Sequence, residues 1–388
     1  MTSLKHLFML DPDVVFLNHG SFGACPRPVF KVYQGWQRRL ENQPIKFFHR
    51  DLPGLEQEAR CALGAYLHAD PDDLAYVTNA TYGVNIISRS LALGPGDEIL
   101  TTDQEYGACN NAWNFACRKT GASYIHHPVH LPACSMDEVA NEFWQGITPR
   151  TRVIYLSHIT SPTALRLPIE EICHRARKAG ILTLIDGAHA PGQIPLNLEA
   201  IGADFYTGNC HKWMLCPKGA GFLHARRAVQ HLVEPLVVSR AYEPEKAAAD
   251  SHPMVDYFTW TGTRDPAAFL SIPAAIAFME KYHWEEVRQQ CHNLLRHAIA
   301  RICNLTGLAP IYSLDSDFYA QMAIAPLTPV ADATALGNRL YEEYHIVMPI
   351  IQWQEQLFAR ISVQGYTTQA DIDVLLKALG TLLPELAK

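Results

Sequence analysis

A lysine lies among small and apolar residues in the segment GNCHKWMLCPKGAGFL. Lys212 follows a histidine and precedes a tryptophan there. Burial lowers the pKa of a lysine and so makes its neutral amine available for chemistry. Taken alone, the pattern is more typical of a lysine that extends to solvent or pairs with a carboxylate. The neighbouring motifs must therefore decide between the two interpretations.

Two further motifs supply groups that complement such a lysine. Asp186 ends the strongly apolar stretch ILTLI, where an aspartate either caps a turn or keeps a heteroaromatic nitrogen protonated. The stretch VTNATYGVN places Ala80 and Thr81 at a strand-to-helix junction, whose free N–H groups can bind a phosphate. A lysine for an aldehyde, an acid for a pyridine nitrogen and a helix start for a phosphate together predict a site for pyridoxal phosphate, PLP.

The elements that position these residues follow from the sequence pattern. From about Tyr76 onward, short β-rich stretches alternate with amphipathic helical segments, which predicts an α/β fold with a mostly parallel central sheet. Ligands collect at the carboxyl ends of such strands. After Arg240 the chain is first polar, in AYEPEKAAADSHPM, and then helical from about Pro266 to Leu305. We predict an N-terminal segment at 1–17, a large PLP-binding domain at 18–250, and at 251–388 a linker, a long helix and a small C-terminal α+β domain.

Composition and charge exclude several classes of partner. The 388 residues are 48% hydrophobic and 18% charged, with a formal net charge of -7, which gives no reason to expect a nucleic acid or an anionic membrane as partner. No apolar stretch approaches the roughly 20 residues that span a bilayer. Ten scattered cysteines favour reduced thiols, so we expect a cytoplasmic protein. The histidines of YIHHPVHLPAC lie among prolines and do not predict a metal site.

Eight stretches, in order along the chain, resemble the class V aminotransferase family of PLP enzymes. The resemblance covers about Leu17 to Tyr366 and is greatest for the isopenicillin N epimerase-like group. It implies the PLP-dependent transferase fold type I, PLP as the cofactor and a small amino-acid substrate. The stretches are LNHGSFGACP, TNATYGVN, TDQEYGA, LSHITSPTALRLPI, DGAHAPGQIPL, GNCHKWMLCPKGAGFL, TWTGTRD and ARISVQGY.

The resemblance implies a role for each residue near the cofactor ring. Lys212 matches the lysine that bonds covalently to PLP, and Asp186 matches the partner of the pyridine nitrogen. His189 matches the residue that contacts the phenolic oxygen, where many relatives have glutamine. Tyr106 matches an aromatic residue, commonly histidine, that stacks on the ring. We expect these four residues to be catalytic.

The same resemblance implies residues that bind the phosphate and the substrate. Thr263 matches a threonine that reaches the phosphate in the neighbouring subunit, so the resemblance implies a homodimer. Arg360 matches the arginine that binds the substrate carboxylate through a bidentate pair. The further cofactor-binding residues are Ala80, Thr81, Ser161, Asn209 and His211, and the further substrate-binding residues are Asn18 and His19.

The residues that bind the cofactor do not by themselves determine the reaction, because epimerisation, transamination and β-elimination can all use the same residues. Desulfurases of this family need a cysteine before the carboxylate-binding arginine, whereas no cysteine follows Cys303 here. We predict an epimerase that acts at Cα of an amino acid or similar substrate, with Tyr106 or His158 as the second acid or base. A C–S lyase and an aminotransferase are the alternatives, and an inactive binding protein is the alternative outside enzymes.

Overall fold

The structure is a computed structural model that describes residues 4–133, 135–243 and 252–387. Most of the predicted linker, and the predicted domain boundary at residue 250, lie outside these ranges. The strands are β1 (Val15–Phe16), β2 (Leu74–Val77), β3 (Glu98–Thr102), β4 (Ser123–His127), β5 (Thr151–Ser157), β6 (Leu182–Gly187), β7 (Phe205–Asn209), β8 (Gly221–Ala225), β9 (Met322–Leu327), β10 (Ile346–Val347), β11 (Ile350–Trp353) and β12 (Gln356–Ser362).

Helices follow most of the strands. The α-helices are α1 (His19–Phe22), α2 (Arg27–Asn42), α3 (Pro44–Lys46), α4 (Leu52–Leu67), α5 (Ala80–Ser90), α6 (Gly107–Thr120), α7 (Met136–Trp144), α8 (Ile169–Ala179), α9 (Leu198–Ile201), α10 (Pro253–Thr259), α11 (Ala267–Leu270), α12 (Ile272–Lys281), α13 (Trp284–Thr306), α14 (Ala333–Tyr344) and α15 (Gln369–Glu385). None of the helices in the described residues combines the length and the apolar character that crossing a membrane requires.

Seven strands form the main sheet, in the order β2-β8-β7-β6-β5-β3-β4. Only β8 runs antiparallel to its neighbours β7 and β2, and the remaining neighbouring pairs are parallel. Successive residues of β5 enter different apolar clusters: Ile154 belongs to one and Tyr155 to the other. Both faces of the sheet are therefore buried, which confirms the predicted α/β class with a mostly parallel sheet.

The register of the central strands brings polar residues together at one edge of the sheet. Ser157 at the end of β5 is the partner of Asp186 on β6, and Asp186 is in turn the partner of Thr207 on β7. Asn209 ends β7. Because these strands are parallel, their carboxyl ends meet, and the turns that follow them carry the candidate site.

A second sheet is formed by the C-terminal part of the chain. Its antiparallel strands lie in the order β11-β12-β9, and Arg360 on β12 is the partner of Ile324 on β9. Strand β1 does not join the main sheet but pairs in parallel with β10, through Val15↔Ile346 and Phe16↔Val347. The N-terminal segment thus packs with the C-terminal unit, while the predicted domain boundaries stay a prediction.

The predicted long helix from about Pro266 to Leu305 was wrong in its continuity. The structure divides this stretch into α11, α12 and α13. A proline in the first turn of α12 fits only at a helix start, because it lacks the N–H that a helix interior requires. His283 then adopts a left-handed conformation, with φ of 49°, immediately before α13 begins. Both breaks are local backbone effects that apolar periodicity does not reveal.

Candidate active site

A cavity of about 340 Å³ lies at the carboxyl ends of the central strands. Its volume falls within the range of pockets that hold small molecules and cofactors. Most of the predicted site residues line it: Ala80, Thr81, Tyr106, Ser161, Asp186, His189, Asn209, His211 and Lys212. The turns after β2, β3, β5, β6 and β7 contribute these residues, so one edge of the sheet assembles groups that are distant along the chain.

Lys212 lies in the turn that follows β7. Its Nζ is 3.2 Å from Nε2 of His189. Removal from water lowers the pKa of Lys212 to about 8, although the Asp186 carboxylate opposes that shift. A lysine with this pKa carries an appreciable neutral fraction near neutral pH, and only the neutral amine can act as nucleophile or base.

Asp186 presents a buried carboxylate to the cavity. Oδ1 accepts the Ala188 N–H at 2.8 Å, and Oδ2 accepts the Tyr155 hydroxyl at 3.2 Å and the Cys109 thiol at 3.4 Å. Burial raises the pKa of this carboxyl, while these neutral donors and Lys212 partly offset the effect. A buried carboxylate whose hydrogen-bond partners are neutral is complementary to a cationic group bound in the cavity.

His189 lies between the lysine and a buried indole. The Trp213 Nε1–H donates to Nδ1 of His189 at 3.4 Å, while Nε2 faces the Lys212 amine. Burial lowers the pKa of His189 well below its ordinary value, and the nearby Lys212 and Arg360 charges lower it further. The imidazole is therefore neutral, with one nitrogen that donates and one that accepts.

The start of α5 forms the other end of the cavity. The Asn79 side chain caps this helix by accepting the Tyr82 N–H at 2.9 Å. Asn209 Oδ1 accepts the Ala80 N–H at 2.8 Å, so that N–H is already hydrogen-bonded within the protein. The Thr81 N–H, one position further along the first turn, is the donor that α5 can offer to an anion. A phosphate contact from Ala80 itself stays a prediction.

His211 lines the same end of the cavity in a fixed orientation. Its Nδ1 is 2.9 Å from the Ala220 carbonyl, which can only accept, so Nδ1 carries the proton. Nε2 of the neutral ring then carries a lone pair. Burial lowers the pKa of His211 to about 4. A dianion beside it would oppose that shift, because a neighbouring negative charge favours the imidazolium form.

Arg360 lies behind two serines rather than on the cavity surface. Its Nη1 donates to the Ser161 carbonyl at 2.5 Å and to Ser161 Oγ at 3.2 Å, and its Nη2 donates to Ser21 Oγ at 3.2 Å. The buried Nε has no partner among the described residues. Burial lowers the pKa of Arg360 to about 10, which leaves it charged at neutral pH. A substrate carboxylate can pair with this guanidinium by replacing the serine contacts.

Other predicted residues lie outside the cavity. His19 is buried, with Nε2 3.1 Å from the Lys212 carbonyl and Nδ1 3.0 Å from the Tyr366 hydroxyl. It therefore holds the backbone of the lysine turn, while Asn18 accepts the Ser21 hydroxyl at 2.6 Å. Thr263 lines a separate cavity with Gln37, Leu40 and Phe48, away from Lys212 of its own chain.

His158, considered above as a second acid or base, is not at the cavity surface. It is buried, and its Nδ1 lies 3.0 Å from the Tyr206 hydroxyl. Tyr106 does line the cavity, at the N-cap of α6, and is 47% exposed. Of these two residues, only Tyr106 can therefore contact a bound substrate.

Sequence reasoning missed several residues that line the cavity. Lys218 lies six residues after Lys212 in the sequence and donates to the Gly23 carbonyl at 3.0 Å. Ser157 ends β5 and donates to the buried Glu105 at 2.5 Å. The position of Ser157 at a strand end was the signal that could have identified it, as it did for Asp186. Ile159, Ala188 and Gly219 also line the cavity. The remaining lining residues lie in stretches that the sequence analysis did single out: Ser21 and Phe22 in LNHGSFGACP, and Thr78 and Asn79 in VTNATYGVN.

The described residues contain no cluster of histidine, cysteine, aspartate or glutamate that could hold a metal ion. Lys212, Asp186 and the start of α5 line the cavity. The donor set instead fits PLP: a buried acid for its ring nitrogen, an amine of lowered pKa for its aldehyde, and the first turn of α5 for its phosphate.

Comparison with known proteins agrees with this fold. The sequence model of the class-V aminotransferase family matches residues 49–375. The chain belongs to this family of PLP-dependent enzymes, and its cofactor is pyridoxal 5'-phosphate.

Individual relatives include both epimerases and lyases. Isopenicillin N epimerase of Streptomyces clavuligerus is 36% identical over 387 residues, which cover 97% of each chain. Hercynylcysteine sulfoxide lyase of Schizosaccharomyces pombe is 24% identical over 97% of this chain and 96% of its own. The solved complex of the cystine C–S lyase C-DES with cysteine persulfide has the same fold, with a TM-score of 0.83 and 22% identity over 95% of this chain and 98% of its own.

Proposed function

We propose that this protein is an epimerase that inverts the configuration at Cα of an amino acid or amino-acid-like substrate. The observation that carries the proposal is that two groups able to transfer a proton, the Lys212 amine and the Tyr106 hydroxyl, line one cavity from different elements. Inversion is easiest with one such group on each side of Cα. Similarity to an isopenicillin N epimerase over nearly the whole chain supports the same reaction.

Some residues of the chain bind the cofactor and the substrate, and others transfer protons at Cα. When bound, PLP delocalises the negative charge that develops at Cα. Asp186 keeps the ring nitrogen protonated, since its carboxylate is buried among neutral donors. Lys212 takes the Cα proton as a neutral amine, and Tyr106 returns a proton to Cα from the other side. Arg360 holds the substrate carboxylate, which fixes the orientation of the Cα–H bond.

We also propose that two copies of the chain form the active enzyme. Thr263 lines a cavity with Gln37 and Phe48 that shares no lining residue with the cavity of Lys212. Its match to a threonine that reaches the neighbouring subunit supports a homodimer in which each site receives one Thr263.

The experiment that tests the reaction follows the hydrogen at Cα. PLP-loaded protein is incubated in deuterated water with a panel of L-amino acids and cysteine conjugates, with Lys212→Ala as the blank. An epimerase incorporates deuterium at Cα and forms the D-epimer without releasing ammonia or an α-keto acid. If no member of the panel or of longer amino-acid-like substrates exchanges its Cα hydrogen, the proposal fails.

A C–S lyase is the second candidate, and two observations favour it. Hercynylcysteine sulfoxide lyase matches nearly the whole chain, and elimination of a sulfur group needs no nucleophilic cysteine. The same panel separates the two reactions, because a lyase releases a thiol or sulfenate together with ammonia and pyruvate. Transamination would leave the amino group on the cofactor and release the α-keto acid alone.

A further inference from the structure

The indole of Trp213 contacts His189, whose Nε2 faces the Lys212 amine in the cavity. Trp213 is fully buried and follows Lys212 in the turn after β7. Its Nε1–H points at Nδ1 of His189, at 3.4 Å. Tryptophan has no acceptor, so this contact can form only when Nδ1 carries a lone pair.

That requirement decides where the proton of the neutral imidazole lies. With Nδ1 as acceptor, the proton is on Nε2, which faces the Lys212 amine at 3.2 Å. The unprotonated amine can accept that proton, whereas the ammonium form has donors only and would favour a lone pair on Nε2, so the assignment applies when Lys212 is neutral or bound to the cofactor. The opposite tautomer would set two N–H groups against each other inside the protein. It would also leave the indole N–H unpaired, and an unpaired buried donor is costly.

We propose that Trp213 is a positioning residue, which fixes His189 as the Nε2–H tautomer so that a hydrogen-bond donor faces the phenolic oxygen of bound PLP. The proposal rests on the position of His189 in the proposed PLP site, and it holds whether the reaction is epimerisation or elimination. A glutamine at position 189 could turn its amide to donate, whereas a histidine needs its tautomer to be set from outside. Trp213 supplies that control.

A donor at the phenolic oxygen stabilises its ionised form. Without Trp213, His189 can present its lone pair instead, and the oxygen becomes more basic. The groups that face His189 are Lys212, Arg360 and His19, while Asp186 and Cys109 face Lys212. Since all of them remain in a Trp213 variant, a change in cofactor titration would report the lost indole contact.

The first measurement uses the wild-type protein without cofactor, at a pH above the Lys212 pKa of about 8 so that the amine is neutral and can accept the Nε2 proton. Ring-proton to nitrogen correlation spectra of 15N-histidine-labelled protein distinguish the two tautomers, and His189→Gln identifies the signal of His189. We expect the protonated nitrogen to be Nε2. A His189 signal of the Nδ1–H type would overturn the proposal, and this result depends neither on catalysis nor on the stability of any Trp213 variant.

The second measurement titrates the visible absorbance of the PLP-loaded protein against pH. Trp213→Phe is expected to raise the midpoint by about one to two pH units, as befits a lost hydrogen bond to a charged group. Trp284→Phe is the matched control, because Trp284 is also buried but its indole nitrogen has no partner among the described residues. An unchanged midpoint in folded Trp213→Phe would contradict the proposal.

A double variant tests whether the effect passes through His189. Combining Trp213→Phe with His189→Gln should shift the midpoint no further than His189→Gln alone, because no imidazole tautomer remains to be set. An additional shift of one pH unit in the double variant would mean that Trp213 acts by another route, and the proposal would fail.

Discussion

Lys212 and Asp186 have pKa values that burial moves in the direction of the neutral form. The pKa of the lysine falls to about 8 and that of the aspartic acid rises, each because removal from water penalises the charged state. The two side chains therefore favour a ligand that carries a cationic group near Asp186 and a group near Lys212 that reacts with a neutral amine. A cationic ring nitrogen would restore the ionised aspartate, and an aldehyde would consume the neutral amine.

Replacing Lys212 by alanine should abolish covalent attachment of the cofactor. We expect Lys212→Ala to lose at least about 100-fold in turnover, since it removes both the attachment point and a proton-transfer group. Borohydride treatment followed by peptide mapping should fix the cofactor on residue 212 of the parent protein only. Lys218→Ala is the control, because Lys218 lines the same cavity yet should leave attachment at Lys212 intact.

The lowered pKa of Lys212 predicts how its reactivity depends on pH. The apoprotein should react with pyridoxal at a rate that rises with pH and is half-maximal near pH 8, because only the unprotonated amine attacks. The rate of appearance of the visible band measures this. In Asp186→Asn the midpoint should move lower, since the carboxylate raises the pKa of Lys212. A midpoint near that of free lysine would contradict the burial argument.

Single residues were predicted from sequence where a local pattern surrounds them. Asp186 ends an apolar strand, and Lys212 lies in a distinctive turn, so both could be found without the fold. The contacts of Arg360 with Ser21 and Ser161 could not, because they join distant parts of the chain. No sequence pattern indicated that Asn209 already accepts the Ala80 N–H.

At the scale of elements, the turn after β6 packs directly against the turn after β7. Gly192 has φ of 87°, and a Cβ at this position would lie 2.3 Å from the Trp213 carbonyl carbon. His189 lies in the same loop after β6, three residues before Gly192. The close approach of the two backbones thus sets the distance between His189 and the residues of the Lys212 turn.

Gly192→Ala should therefore lower both stability and cofactor binding. The left-handed conformation costs a residue with Cβ about 1–2 kcal/mol, and the overpacking adds about 1–3 kcal/mol. Denaturant unfolding measures the change in free energy. Gly35→Ala is the control, because a Cβ at Gly35, inside α2, meets nothing within 4 Å, and it should stabilise the protein by about 0.5–1 kcal/mol. Equal effects of the two substitutions would contradict this account.

Alternating strands and helices were predictable because each buried strand reads as an apolar stretch between turn residues. The antiparallel direction of β8 was not, since β8 is as apolar as its parallel neighbours. The breaks at α12 and α13 were missed because they depend on a proline and a left-handed histidine rather than on periodicity. Pairing of β1 with β10 joins the N-terminal segment to the C-terminal unit, and no local sequence pattern predicts it.

For the whole molecule, exchange of subunits tests the proposed homodimer. Thr263→Ala should bind PLP about 10-fold less tightly, because one hydrogen bond to a charged phosphate is lost. Mixed dimers of Thr263→Ala with Lys212→Ala contain one site that has both Lys212 and Thr263. We expect such mixtures, formed by refolding together, to regain tight binding and turnover.

The size of the assembly provides the matching check. Light scattering coupled to size-exclusion chromatography should give the mass of two 43.4 kDa chains. Turnover of the mixture equal to the sum of the separate variants, or a monomeric mass, would refute the sharing of Thr263 between subunits.

The pairing of β2 with β8 has a consequence for synthesis of the chain. Leu74 pairs with His224, so the first strand of the main sheet must wait on the ribosome for about 150 further residues. At roughly 5–20 residues per second this delay is on the order of 8 to 30 s. During that time β2, which is buried at all its positions in the finished sheet, remains without its partner strand. We therefore expect the apolar residues of β2 to stay exposed in the nascent chain unless a chaperone binds them. Slower elongation would prolong that exposure.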